Sequence, residues 1–109
     1  MKRTSKRQPK TAAQVMLEAE TEAQFQAWVM NLAKVHGWLV YHTYDSRRSL
    51  RGFPDIIAIR RGRMLALELK IEKGIPTPEQ DAWLDAFMGV PFVRCGVFRP
   101  SERDTLERM

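Results

Sequence analysis

Apolar residues change their spacing along this chain, and each change marks an element. Phe25, Trp28, Val29 and Leu32 recur at i, i+3, i+4, i+7, the stripe of an amphipathic helix. Thr21 and Gln24 form a T-x-x-Q capping box before it, and Gly37 stands where a helix stops. The spacing predicts a helix over 21–36. Residues 11–20, rich in Ala and Glu, are read as a helical turn or an extension of that helix. Residues 38–43 (WLVYHT) are aromatic and β-branched and predict a first strand. A loop over 44–54 follows. Two apolar runs, 55–60 and 63–70, then flank Arg61-Gly62 and predict a hairpin. Thr77 caps a second helix, with Pro78 at N1 and Gln80 at N3, and Trp83, Leu84 and Phe87 share a face with Gln80. Gly89 ends it. A last strand lies within 91–98, reached by a helical crossover and so parallel to the 63–70 strand. Ser101, with Asp104 three residues on, caps a short closing helix.

The hairpin carries the candidate chemistry. If Arg61 and Gly62 are the whole loop, Arg60 pairs with Arg63, and Asp55 pairs with Glu68. Cβ atoms of directly opposed residues sit about 4.5–5.5 Å apart, so the two carboxylates repel unless a cation lies between them. Lys70, two residues past Glu68, points to the same face. One more loop residue would shift every pair by one. Glu22, in the first turn of the first helix, either answers the helix dipole or reaches the site beside the hairpin; Glu18 and Glu20 are weaker candidates for that reach. Gln80 is polar at the head of an apolar stripe, which its capping box alone explains. His42 ends the first strand, where a histidine is more often structural than catalytic.

Composition narrows the picture. One domain suits 109 residues with 44% hydrophobic content. No apolar run approaches the roughly 20 residues of a membrane helix, and the N-terminus lacks the apolar stretch of a secretory signal. Cys95, the single cysteine, has no disulfide partner, and a reducing cytoplasm is the expected compartment. The net charge of +5 equals the contribution of Lys2, Arg3, Lys6, Arg7 and Lys10, leaving the body formally neutral. Residues 1–20 are therefore expected to be a basic, flexible tail, either nucleic-acid-binding or solubilising, before a domain over 21–109. Within that body Arg47, Arg48, Arg51, Arg60, Arg61 and Arg63 gather around the hairpin, with Asp55 the only acid between 46 and 67. Such clustering favours a phosphate-rich partner, and Arg47, Arg48 and Arg51 are the expected backbone contacts.

Pro54-Asp55 followed by Glu68-Leu69-Lys70 resembles the PD-(D/E)xK nuclease signature. With the α-β-β-β-α-β order, the fold class is α/β: a restriction-endonuclease-like core, its mixed sheet flanked by helices. Glu22, the run GWLVYHT, the approach from Gly52 to Asp55, Thr77-Pro78-Glu79-Gln80 and the closing Phe98-Arg99-Pro100-Ser101 together resemble the stand-alone VRR-NUC domains found largely in phages and bacteria. The Val-Arg-Arg tripeptide that names the family is absent. The resemblance implies a Mg²⁺-dependent endonuclease, with Mn²⁺ able to substitute, acting on DNA in the cytoplasm, or in a bacterial host if phage-encoded. Asp55, Glu68 and the Leu69 carbonyl are the implied metal ligands. Lys70 is the implied base or positioning group, with Glu22 and Gln80 in support. Family members tend to act as homodimers on branched or four-way junction DNA. Two other readings remain open: a non-catalytic DNA-binding or replication accessory module on the same fold, and a nuclease acting on RNA.

Overall fold

The computed structural model describes residues 8–44 and 50–109. In chain order its elements are α1 (Ala12–Ala19), α2 (Glu22–Val35), β1 (Leu39–His42), β2 (Ile56–Arg60), β3 (Arg63–Leu69), α3 (Pro78–Met88), β4 (Val93–Phe98), a 3₁₀ turn (Pro100–Glu102) and α4 (Arg103–Glu107). The core order is the α-β-β-β-α-β expected from the sequence. The strands form one mixed sheet, β1-β2-β3-β4, with β1–β2 and β2–β3 antiparallel and β3–β4 parallel.

The hairpin turn fixes the register. Arg61 (φ 50°) and Gly62 (φ 76°) both take positive φ, as a two-residue loop joining right-twisted strands requires. Arg60 therefore pairs with Arg63 and Ile56 with Leu67, and the next step outward brings Asp55 opposite Glu68.

Side-chain alternation then builds the core. Ile56, Ala58, Leu65, Leu67, Leu69 and Phe98 join Phe25 and Val29 of α2, Trp38 and Leu106 of α4 in one buried cluster. Burying Phe25 alone, with none of its surface exposed, contributes about 1.5–3 kcal/mol. α3 lies against β4 and β3 through Leu84, and the Cys95 thiol donates to the Leu84 carbonyl at 3.5 Å. Val40 packs on the core, so Leu39 and Tyr41 point the other way, and both are exposed.

Three details differ from the sequence reading. Residues 12–19, read as a helical turn or an extension of the next helix, form a separate helix, α1, started by a Thr11–Gln14 capping box. β1 is shorter than the 38–43 run, because Trp38 turns into the core ahead of the ladder. Ser101 does not cap the closing helix: it lies within the 3₁₀ turn, where its N–H donates to Glu72 and the Arg99 N–H donates to Glu102.

Gly52 is a contact the fold cannot spare. At φ 92°, a Cβ there would lie 2.5 Å from the Glu79 carbonyl carbon and 2.8 Å from the Gln80 nitrogen. The approach to Asp55 is thus pressed against the first turn of α3. Gly62 has a similar φ and open space around it. Alanine at Gly62 costs only what left-handed backbone costs, about 1–2 kcal/mol, whereas alanine at Gly52 must also push α3 away. Denaturant unfolding of the two variants checks this: Gly52→Ala is expected to lose at least twice the stability lost by Gly62→Ala, and equal losses would contradict the packing account.

Candidate active site

Three elements converge where β2 begins and β3 ends. Pro54 is buried, and the Thr43 hydroxyl donates to its carbonyl at 2.8 Å. The Thr43 N–H donates to the Asp55 carbonyl, also at 2.8 Å. These bonds fix the Asp55 backbone, and its Oδ2 accepts the Leu69 N–H at 2.8 Å. Glu68, one residue earlier on β3, is 1% exposed. Its Oε1 accepts from the Gln80 amide at 2.9 Å, while the Gln80 Oε1 accepts the Thr77 N–H in the α3 capping box. Gln80 thus serves the cap and the site together. Glu22, in the first turn of α2, completes the group: one carboxylate oxygen from each of Glu22, Asp55 and Glu68 lies within 4.8 Å of the others.

Such a cluster resists ionisation. Burial, and then the neighbouring Asp55 carboxylate, push Glu68 up to about 9, with Lys70 opposing. Glu22 is exposed, but partial desolvation and then the charge on Asp55 raise it as well, again against Lys70. Glu68 Oε2 is buried without a hydrogen-bond partner. Three carboxylates facing one point, one carrying an orphaned buried oxygen, form the hard-oxygen donor set that suits Mg²⁺ or Mn²⁺. The residues present therefore fit a divalent ion.

The structure brings Glu22, Asp55, Glu68 and Gln80 together, places Leu69 beside Asp55 through its N–H, and sets Lys70 where its charge acts on both Glu22 and Glu68. Other candidates fall elsewhere. Glu18 pairs with Lys10 and Lys73, and Glu20 pairs with Arg103, whose guanidinium lies over the Phe25 and Trp28 rings. His42 stands edge-on to Tyr44, outside the carboxylate group. Arg51 is exposed, and its carbonyl accepts from the Trp83 indole at 3.2 Å. Arg47 and Arg48 lie outside the described residues. The sequence reading overlooked the part of Gly52, which seats the Asp55 approach against the α3 turn that carries Gln80. Its only sequence signal is a glycine three residues before the aspartate.

No protein-family model matches the chain, and no curated protein matches it. A solved structure described as a VRR_NUC domain is similar to it, with a TM-score of 0.65 and 25% identity, covering 80% of this chain and 94% of that one.

The raised Glu68 carries a pH signature in chelator-treated protein. The folded state keeps the Glu68 proton up to about pH 9, whereas the unfolded chain releases it near the ordinary value of 4.5. Between those values the folded state binds more protons, so stability declines as pH rises across that window. Glu22 is shifted in the same direction. Urea unfolding from about pH 5 to about pH 9 is expected to show this slope in the wild type and a flatter one in Glu68→Gln, which gains stability relative to wild type at the alkaline end. A flat wild-type profile would contradict the burial of this carboxylate.

Proposed function

The chain is a VRR-NUC-like domain on a restriction-endonuclease-like core, and on that premise we propose that it is a metal-dependent endonuclease that hydrolyses phosphodiester bonds in DNA, selects branched or four-way junctions and works as a homodimer. The observation that carries this reading is Glu68 Oε2, buried and unpartnered within a three-carboxylate group. A buried oxygen without a partner costs stability. Glu20 Oε2 is another, but its carboxylate is ion-paired with Arg103, whereas Glu68 stands in a carboxylate group that one cation would satisfy together.

Asp55, Glu68 and the Leu69 carbonyl would hold the ion, with the Glu22 carboxylate beside them at the start of α2. Mg²⁺, when bound, supplies charge stabilisation at the phosphate oxygens and acidifies water. The remaining work belongs to the chain. The Leu69 N–H keeps Asp55 in one orientation, and Gln80 does the same for Glu68. Lys70 Nζ orients the attacking water or takes its proton. The water oxygen bonds to phosphorus as the bond to the leaving nucleoside oxygen breaks. Arg47, Arg48 and Arg51 hold the backbone on either side.

One such site cuts one strand per encounter, and symmetric cleavage of a junction needs two copies, most simply about a two-fold axis. The exposed Leu39, Tyr41 and Ile59, side by side on β1 and β2, offer an apolar face for that second copy.

The test is purified protein with Mg²⁺ against duplex, single-stranded, flap and four-way DNA and their RNA counterparts, with its mass measured by light scattering. Asp55→Asn and Glu68→Gln are expected to abolish cleavage. In chelator, DNA binding is expected to tighten in Asp55→Asn, which removes negative charge facing phosphate, and to persist unchanged in Glu68→Gln, because the Glu68 carboxyl already carries a proton there. Lys70→Arg is expected to be nearly as inactive as Lys70→Ala, because a guanidinium is bulky and always charged. Full cleavage by either carboxylate variant overturns the site. Near wild-type cleavage by Lys70→Arg overturns the base or positioning role and leaves a purely electrostatic one.

A further inference from the structure

The opposite end of the sheet carries a second charged feature. A cleft of about 360 Å³ opens beside the hairpin turn, and Arg60, Arg63, Arg94 and Arg108 are in its lining with Trp38 and Phe92. These arginines come from β2, β3, β4 and the C-terminal end of α4, so only the fold gathers them. Among the described residues none of the four pairs with an acidic side chain. Arg60 is held in place: its guanidinium lies over the Trp38 ring at 4.4 Å, and one nitrogen donates to the His36 carbonyl at 2.6 Å. A guanidinium has five N–H donors, so Arg60 keeps most of its hydrogen-bonding capacity.

Phe92 adds a second, independent observation. It is 79% exposed and has φ 64°, a left-handed conformation that a bulky residue adopts at a cost. The backbone has little freedom to relax, since the Phe92 carbonyl accepts the Met64 N–H at 3.0 Å at the head of the β3–β4 pairing. Glycine would remove both the strain and the exposed apolar surface. An aromatic ring presented to solvent among unpaired arginines is the combination that holds single-stranded nucleic acid: bases stack on the ring while cations follow the phosphates.

We propose that this cleft is a second nucleic-acid site, one that takes an unpaired strand with its phosphates on Arg63, Arg94 and Arg108 and a base on Phe92. The inference rests on the nuclease reading for its purpose. Arg63 and Glu68 are five residues apart on β3, or about 17 Å at the strand rise. That is roughly five nucleotide steps at the duplex spacing, and the odd separation puts the two side chains on opposite faces. One substrate therefore joins the two ends by passing round the edge of the sheet, a path open to a flexible unpaired strand and closed to continuous duplex. A site for unpaired strand at that distance gives the enzyme a means of telling a branched substrate from continuous duplex.

Binding measured without cleavage separates this inference from the nuclease reading. The full chain, in chelator, is titrated with a fluorescein-labelled 12-nucleotide oligothymidine and with a blunt 12-base-pair duplex, and thermal unfolding is followed in parallel. Phe92→Gly is expected to hold or raise the melting temperature while weakening single-strand binding about fivefold or more, with a smaller effect on the blunt duplex. The double variant Arg63→Ala/Arg94→Ala is expected to weaken single-strand binding and to flatten its log–log salt slope by about 0.7 per arginine removed. Unchanged single-strand affinity in both variants overturns the site. Equal losses on single strand and blunt duplex overturn the assignment to unpaired strand. A protein that shows the expected losses yet cuts none of the branched substrates keeps this site and loses the nuclease reading. A protein that cuts them while the variants bind as wild type keeps the reading and loses this site.

Discussion

A carboxylate buried in the middle of a protein is expensive, and here the surrounding structure is arranged to hold one in place. Glu68 sits in a strand whose neighbours Leu67 and Leu69 are core residues, with one oxygen on Gln80 and the other on nothing. Asp55 stands opposite and raises the cost. Desolvation and like-charge repulsion act in one direction, against the ionised form; the proton that Glu68 keeps relieves both, and a cation at the meeting point of the three carboxylates would take that proton's place. The constraint extends outward. The two-residue turn at Arg61-Gly62 sets the register that opposes Asp55 to Glu68. Gly52 lets the Asp55 approach lie against α3, whose first turn delivers Gln80. The start of α2 delivers Glu22.

Much of this was legible in the chain because the signals are local. A turn with glycine at its second position, counted outward, places two carboxylates opposite each other without any knowledge of the rest. The capping boxes at Thr21 and Thr77 mark where α2 and α3 begin, and so where Glu22 and Gln80 project. What stayed hidden depends on contacts distant in sequence. Glu20 is separated from Arg103 by most of the chain, so nothing near it signals their ion pair. The Ser101 cap was plausible by spacing alone, and Glu72, from another loop, took its N–H instead. Arg94 and Arg108 look like ordinary surface residues until the parallel pairing of β4 and the placement of α4 bring them to Arg63. Helical structure over 11–20 was legible in its Ala- and Glu-rich composition, but not that the Thr11–Gln14 box, a T-x-x-Q pattern like that at Thr21, starts a separate helix.

The sheet is thus polarised. Its carboxylates meet where β3 ends, and its arginines meet where β3 begins, with an apolar strand interior between them. Charge of one sign at each end keeps the two groups from neutralising each other, which adjacent ion pairs would do. An anionic polymer is attracted to the arginine end directly and to the carboxylate end only with a cation bound. On the proposed reading, phosphate binding at the carboxylate end is conditional on metal, while binding at the arginine end is not.

The most direct measurement of the central claim is calorimetric titration of the protein with Mn²⁺ or Mg²⁺ near pH 7.5, repeated in buffers of different ionisation enthalpy. If Glu68 is held protonated by its surroundings and released to bind a cation, ion binding must expel a proton. The account predicts release of about one proton per ion in the wild type, and loss of that release, with much weaker binding, in Glu68→Gln. Binding with no proton release, or with the same release in the variant, would contradict it.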